Sequence, residues 1–283
     1  MITFFQAIVI GLLQGVTELF PISSLGHSVL LPALLGWNNI VNSESATESS
    51  YLAFLVGLHC ATAIALIIFY RKTWSKIIKA FFKSISKRKV ETSEERLVWL
   101  LIVATLPAGL IGLAFEHKLR TQFAKPLSAA IFLTINGLIL LAGEAFRKKS
   151  AAQKHHRSLD KMRYREAGVI GVAQVLALLA GISRSGITMV AGLVRGLNHE
   201  DAANFSFLLA TPIILAAGVY KLPDLLGPNG AGIRGQVIVG SIIAGVAAYI
   251  SVKFLTRYFQ SKDLTPFAIY CLAVGVLMII RFA

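Results

Sequence analysis

The chain of 283 residues is short of charge, of acid and of cysteine. Only 15% of it is Asp, Glu, Lys or Arg, whereas 55% is hydrophobic. A soluble domain of this length needs more polar surface, so the balance points to a polytopic membrane protein. There are 14 acidic residues against 28 basic ones, a net charge of +14. In a nucleic-acid binder such an excess lies on one solvated face. Here most of it falls in two blocks between apolar runs. That fits juxtamembrane loops beside anionic lipid, and no nucleic-acid partner is expected. The two cysteines, Cys60 and Cys271, sit inside apolar runs and give neither a disulfide framework nor a metal-ligand spacing. The first twenty residues lack a basic leader and an A-x-A-like cleavage site, so they are read as mature structure. The G-x-x-x-x-G-K-[ST] pattern of a P-loop is also missing.

What is present is apolar sequence in helical lengths. Six runs, 51–70, 97–115, 126–146, 204–222, 236–256 and 264–282, are each close to the ~20 residues that a bilayer crossing needs. Two further regions, 3–37 and 166–197, are apolar but break near the middle into Gly, Ser and polar residues. Broken backbone at membrane depth is tolerated only where protein or a water-filled cavity satisfies it. The pattern predicts an all-α membrane protein of six transmembrane helices and two re-entrant helical hairpins. Segment 71–96 carries nine Lys and Arg and segment 147–165 carries eight, which places both in the cytoplasm. Segment 38–50 has none and is expected outside. Arg257 and Lys262 put the last short loop inside and the C-terminus outside. Lys118, Arg120 and Lys125 run mildly against this orientation, and the two large blocks outvote them. His155 and His156 are read as loop residues.

The chain repeats itself. Shifted by 160 residues, "GLLQGVTELFPISSLG" (Gly11–Gly26) lies over "GVAQVLALLAGISRSG" (Gly171–Gly186). Gln14 meets Gln174, Ile22-Ser23 meets Ile182-Ser183, and Gly26 meets Gly186. Segments 53–72 and 125–141 loosely match 206–221 and 265–280. The whole reads as one integral membrane domain. Repeat 1 covers about 1–146, repeat 2 covers about 166–283, and 147–165 is a cytoplasmic linker. Each repeat is one hairpin plus three spans. An odd number of spans inverts the second copy and sets the two hairpins opposite each other, with a site between them.

The second broken segment, "AGISRSGITMVAG" (Ala180–Gly192), suits an anion. Ser183, Ser185 and Thr188 offer hydroxyls, Arg184 offers a planar five-donor fork, and a helix beginning after Gly186 aims N–H groups at the turn. A lone Arg would be read as snorkelling. With these neighbours it reads as a phosphate site. In the first, "QGVTELFPISSLGH" (Gln14–His27), Gln14 and Glu18 share a helix face that Pro21 ends at about Phe20. A carboxylate costs about 2.5 kcal/mol or more at bilayer centre, so Glu18 should line a cavity with a partner, and Arg184 is the candidate. Ser23, Ser24 and His27 follow at the turn. Glu18 and His27 form an acid/base or metal-ligand set, and Ser24 or His27 is a candidate nucleophile. His59 reads as a satisfied core histidine with a supporting role left open. Asn136, Glu144 and Asn204 read as helix-interface groups.

At these residues the chain resembles the undecaprenyl-diphosphate phosphatase family, the bacitracin-resistance proteins. The family's signatures are an (E/Q)-x-x-x-E element running into P-[IV]-S-S-x-[GA]-H, and P-G-x-S-R-S-x-x-T. The likeness extends over "FSFLLATPIILAAG" (205–218) and "LTPFAIY" (264–270). It implies hydrolysis of undecaprenyl diphosphate to the monophosphate and inorganic phosphate, on the outer side of the bacterial cytoplasmic (inner) membrane. That activity recycles the lipid carrier for cell-wall synthesis and confers bacitracin resistance. The resemblance also implies a divalent metal, Mg²⁺ or Ca²⁺. By position, Glu18, Ser24, His27 and Arg184 are the catalytic candidates. Ser23, Ser183, Arg184, Ser185 and Thr188 are the phosphate ligands, and Glu18 with Gln14 is the metal set. Three positions depart from the pattern: Ala180 stands where the signature has Pro, Gln14 removes one possible metal carboxylate, and Cys271 stands where Arg is common.

His27 is then the nucleophile or the base for water, and Ser24 orients it or attacks with its help. The rival reading is a transporter that flips a polyprenyl phosphate through the same site without hydrolysis. A purely structural subunit leaves both polar hairpins without a purpose. Oligomeric state, a homodimer included, is left open.

Overall fold

A computed structural model describes residues 2–44, 50–123, 125–151 and 158–283. His155 and His156 lie outside the described residues, as do residues 45–49 of the acidic, Lys- and Arg-free segment. The described chain is helical. The first four helices are α1 (Phe4–Thr17), α2 (Ser24–Leu34), α3 (Asn38–Glu44) and α4 (Ser50–Phe69). Next come α5 (Arg71–Lys87), α6 (Ser93–Phe123), α7 (Pro126–Ala151), α8 (Tyr164–Gln174) and α9 (Arg184–Val194). The last five are α10 (His199–Tyr220), α11 (Leu222–Leu226), α12 (Pro228–Ala231), α13 (Arg234–Tyr258) and α14 (Thr265–Phe282).

Six helices are long and apolar enough to cross a membrane: Ser50–Phe69, Ser93–Phe115, Pro126–Lys149, His199–Tyr220, Arg234–Tyr258 and Thr265–Phe282. They match the six runs expected from hydropathy and make the chain a multi-pass membrane protein. One boundary moves. The fourth span begins at His199 and not at 204, because Asn198 caps the helix by accepting from Asp201 N, and Glu200 and Asp201 in the first turn favour its N-terminus. The 71–87 part of the first basic block is a helix and no loop. Ile77, Ala80 and Ser84 are buried, and Trp99 on α6 donates through Nε1 to Ser84 Oγ at 3.1 Å.

The two broken regions become two pairs of short helices, α1–α2 and α8–α9. Thr3 and Gln6 form a capping box that starts α1. The helix stops at Thr17 rather than at Phe20, with 18–22 in turns ahead of Ser23. α2 then begins at Ser24, with Ser23 Oγ accepting from Gly26 N at 3.1 Å. α9 repeats the device: it begins at Arg184 and not after Gly186, because Ser183 caps it, its Oγ accepting from Gly186 N at 3.1 Å. Small residues let each pair press against a long helix. A Cβ on Gly11 would meet Gly240 O of α13 at 2.6 Å, and one on Gly171 would meet Ala104 O of α6 at 2.5 Å.

The turns themselves touch. Gly181, at φ +113°, brings its N–H within 3.2 Å of Ser23 Oγ, and any side chain there would strike Ala129 O. That glycine supplies the bend, so Ala180 in place of proline is accommodated in the buried core. Ser23 sits at φ +72°, a strained conformation for serine held by these two hydrogen bonds. Asn136 of α7 ties both turns. Its Nδ2 donates to Pro21 O at 3.0 Å and its Oδ1 accepts from Ser183 N at 2.9 Å. Cys271, fully buried, lies 3.3 Å from the same Nδ2.

Candidate active site

A carboxylate in an apolar helical bundle must find donors, and Glu18 finds three, with a histidine close by. Its Oε1 is 3.2 Å from Arg184 Nη2. Its Oε2 accepts from Gln14 Nε2 at 3.1 Å and from Ser24 Oγ at 2.6 Å, and lies 3.6 Å from His59 Nε2. Gln14 reaches it because four residues bring side chains onto one helix face. Arg184 reaches it because the two turns abut. Arg184 Nη1 also donates to Ser206 O at 3.2 Å, which fixes the plane of the guanidinium. The pair is buried, with side chains 13% and 6% exposed, so stripping either partner would cost about 3–5 kcal/mol.

These groups face a cavity of about 1050 Å³. Glu18, Ser23, Ser24, His59, Gln174, Ser183 and Arg184 supply its polar wall. Small and apolar residues of α6 and α10, from Ala108 to Ala114 and from Ile213 to Tyr220, supply much of the rest, with Lys221 beside them. The N-terminal ends of α2 and α9 both contribute to the lining, which adds their N–H groups and dipoles to a site for an anion.

The candidates named from sequence divide. Glu18, Gln14, Ser23, Ser24, Ser183 and Arg184 come together. Ser185 and Thr188 stand behind them and hold the turn. Ser185 Oγ donates to Phe20 O at 3.1 Å, and Thr188 Oγ1 lies 2.7 Å from Ser206 Oγ. His27 is not among the cavity-lining residues. Its Nδ1 is 2.7 Å from Ser23 O and its Nε2 is 2.9 Å from Tyr270 OH, so both ring nitrogens are engaged. His59, read from sequence as a core histidine, instead faces the site. Its Nδ1 is tied to Leu55 O at 2.8 Å, which turns Nε2 toward Glu18. The signal for it was an ionisable residue inside a span, which marks function by default. Asn136 was recognised as an interface group, and the interface proves to be the site's own. Glu144, also read so, accepts from His199 Nε2 at 2.6 Å and from Leu264 N at 3.0 Å, joining three elements away from the cavity.

A divalent cation does not fit the protein donors on their own. Glu18 is a single carboxylate whose oxygens already receive a guanidinium, an amide and a hydroxyl. Gln14 turns its amide nitrogen, not its oxygen, toward Glu18. Among the described residues no group of three or more His, Cys, Asp or Glu could hold a metal.

Comparison with known proteins identifies the family. The family model of the bacitracin resistance protein BacA matches residues 7–277. The chain is 55% identical to undecaprenyl-diphosphatase 2 of Frankia alni, over 100% of this chain and 98% of that protein. It is 55% identical to the undecaprenyl-diphosphatase of Mycolicibacterium paratuberculosis, over 97% and 95% of the two chains. With undecaprenyl-diphosphatase 2 of Chromobacterium violaceum it shares 44% identity over 96% of each. The match runs from the first short-helix pair to the last span, and the chain belongs to the bacitracin resistance protein BacA family.

Proposed function

We propose that this protein hydrolyses undecaprenyl diphosphate to undecaprenyl phosphate and inorganic phosphate. The hydrogen bond from Ser24 Oγ to Glu18 Oε2, 2.6 Å long and facing the cavity, carries the reading. It pairs a nucleophile with a base beside the Arg184 cation. Ser24 Oγ attacks the terminal phosphorus and passes its proton to Glu18. The bond from that phosphorus to the bridging oxygen breaks, and undecaprenyl phosphate leaves. Water then attacks the phosphoserine, releases inorganic phosphate and restores the Ser24 hydroxyl. Arg184, Ser183 and the helix N-termini hold the charge that develops on the phosphoryl oxygens. Ser23 shapes the turn, and Ser185 and Thr188 brace Arg184 and Ser183. His27 anchors the backbone of Ser23 through its ring, so it acts as a positioning residue. A divalent cation would be held by Glu18 only together with substrate oxygens, and would supply neutralising charge to the phosphates.

We infer further that α1–α2 and α8–α9 are re-entrant hairpins of an inverted repeat within one domain. The 160-residue self-match supports this, as do the two identical serine caps and the reciprocal seating of α1 on α13 and α8 on α6. With the basic segments 71–96 and 147–165 in the cytoplasm, the later halves of α6 and α10 lie toward the outer face. Those halves line the cavity, which supports a site open to the outside of the bacterial inner membrane.

The test is phosphate release from undecaprenyl diphosphate by the purified protein in detergent. Release is expected. Movement of polyprenyl phosphate across proteoliposomes without any release would replace this reading with the transporter.

A further inference from the structure

Gln174 is 2% exposed, and its Nε2 and Oε1 are both buried without a hydrogen-bond partner among the described residues. A primary amide left unpaired in an apolar bundle is costly, and native structures rarely carry one without a reason. Gln174 is among the residues that line the cavity, together with Ser183 and Arg184. Arg184 Nε is a second buried donor there with no partner.

The self-match explains the unpaired amide. Gln174 lies over Gln14, whose amide donates to Glu18 four residues on. Glu18 lies over Leu178, which also lines the cavity. The second copy therefore keeps the amide and has lost the carboxylate that would accept from it. What remains is a donor with no acceptor among the described residues, on a residue that borders a space suited to an anion.

We propose that Gln174 is a substrate-binding residue, its amide N–H groups donating to a diphosphate oxygen that takes the place Glu18 holds for Gln14. The assignment rests on the diphosphatase reading above and extends the phosphate site beyond the family's signature residues to α8. Two variants of the full-length protein test it in the detergent assay with undecaprenyl diphosphate: Gln174→Leu, of similar volume without donors, and Gln174→Glu, of the same shape with a charge that repels phosphate. For a hydrogen bond to a charged group the expected rise in KM for Gln174→Leu is about 10- to 100-fold, with a larger rise for Gln174→Glu. The melting temperature of Gln174→Leu should be no lower than wild type, because the removed amide satisfied nothing in the protein. An unchanged KM in both variants would overturn the assignment while leaving the diphosphatase reading intact. So would a clear fall in the melting temperature of Gln174→Leu, which would mean that the amide is held by protein. Wild-type protein that releases no phosphate would defeat both readings together.

Discussion

At the scale of single residues, the site is a carboxylate and the groups gathered to keep it charged. Arg184 serves it through two geometrically separate contacts, to Glu18 Oε1 and to Ser206 O. A lysine carries the same charge on a point and cannot span both. Arg184→Lys is therefore expected to fold, with kcat/KM lowered by about 100-fold in the phosphate-release assay. Near-normal kinetics would reject the clamp. This pairing was legible in the sequence because a buried charge demands a partner, and the chain offers few. The place of His27 was not legible. Its orientation depends on Tyr270, far away on α14, and on a backbone carbonyl, and neither contact leaves a mark in the motif. His59 was underread for the opposite reason. Its neighbours in sequence are all apolar, and only the fold brings Glu18 to it.

At the scale of elements, the decisive join is between two turns whose first residues differ by 160 positions and whose backbones touch. Asn136 is the bolt. Replacing it with leucine removes hydrogen bonds to Pro21 O and Ser183 N and strands two buried backbone groups. Each such group costs about 1–3 kcal/mol, so Asn136→Leu should lower stability by roughly 2–5 kcal/mol. A thermal shift in detergent checks this, and an unchanged melting temperature would mean that the turns hold each other without α7. Span positions and turn glycines were readable because hydropathy and glycine are local signals, whereas the serine caps were read only as ligands, so α9 starts at Arg184 and not after Gly186. The amphipathic helix α5 was missed because its lysines dominate its composition, while the stripe that buries Ile77, Ala80 and Ser84 is narrow.

At the scale of the molecule, a cavity of about 1050 Å³ opens among the later halves of α6 and α10 while the basic segments precede α6 and α8. This arrangement predicts opposite accessibilities. In a background lacking Cys60 and Cys271, Lys221→Cys should react with a membrane-impermeant maleimide from outside intact cells, and Lys79→Cys only after permeabilisation. The reverse pattern would turn the site to the cytoplasm. The 160-residue self-match was visible in the sequence, and the structure brings its two turns to one cavity, where one presents Ser24 to Glu18 and the other presents Arg184. The claim that Ser24 is the nucleophile is tested most directly by acid-quenching the purified enzyme during turnover of undecaprenyl diphosphate and locating the phosphoryl group by mass spectrometry. The account predicts phosphate on Ser24, and neither label nor release in Ser24→Ala. Label on His27, or a Ser24→Ala variant that still releases phosphate at the wild-type rate, would contradict it.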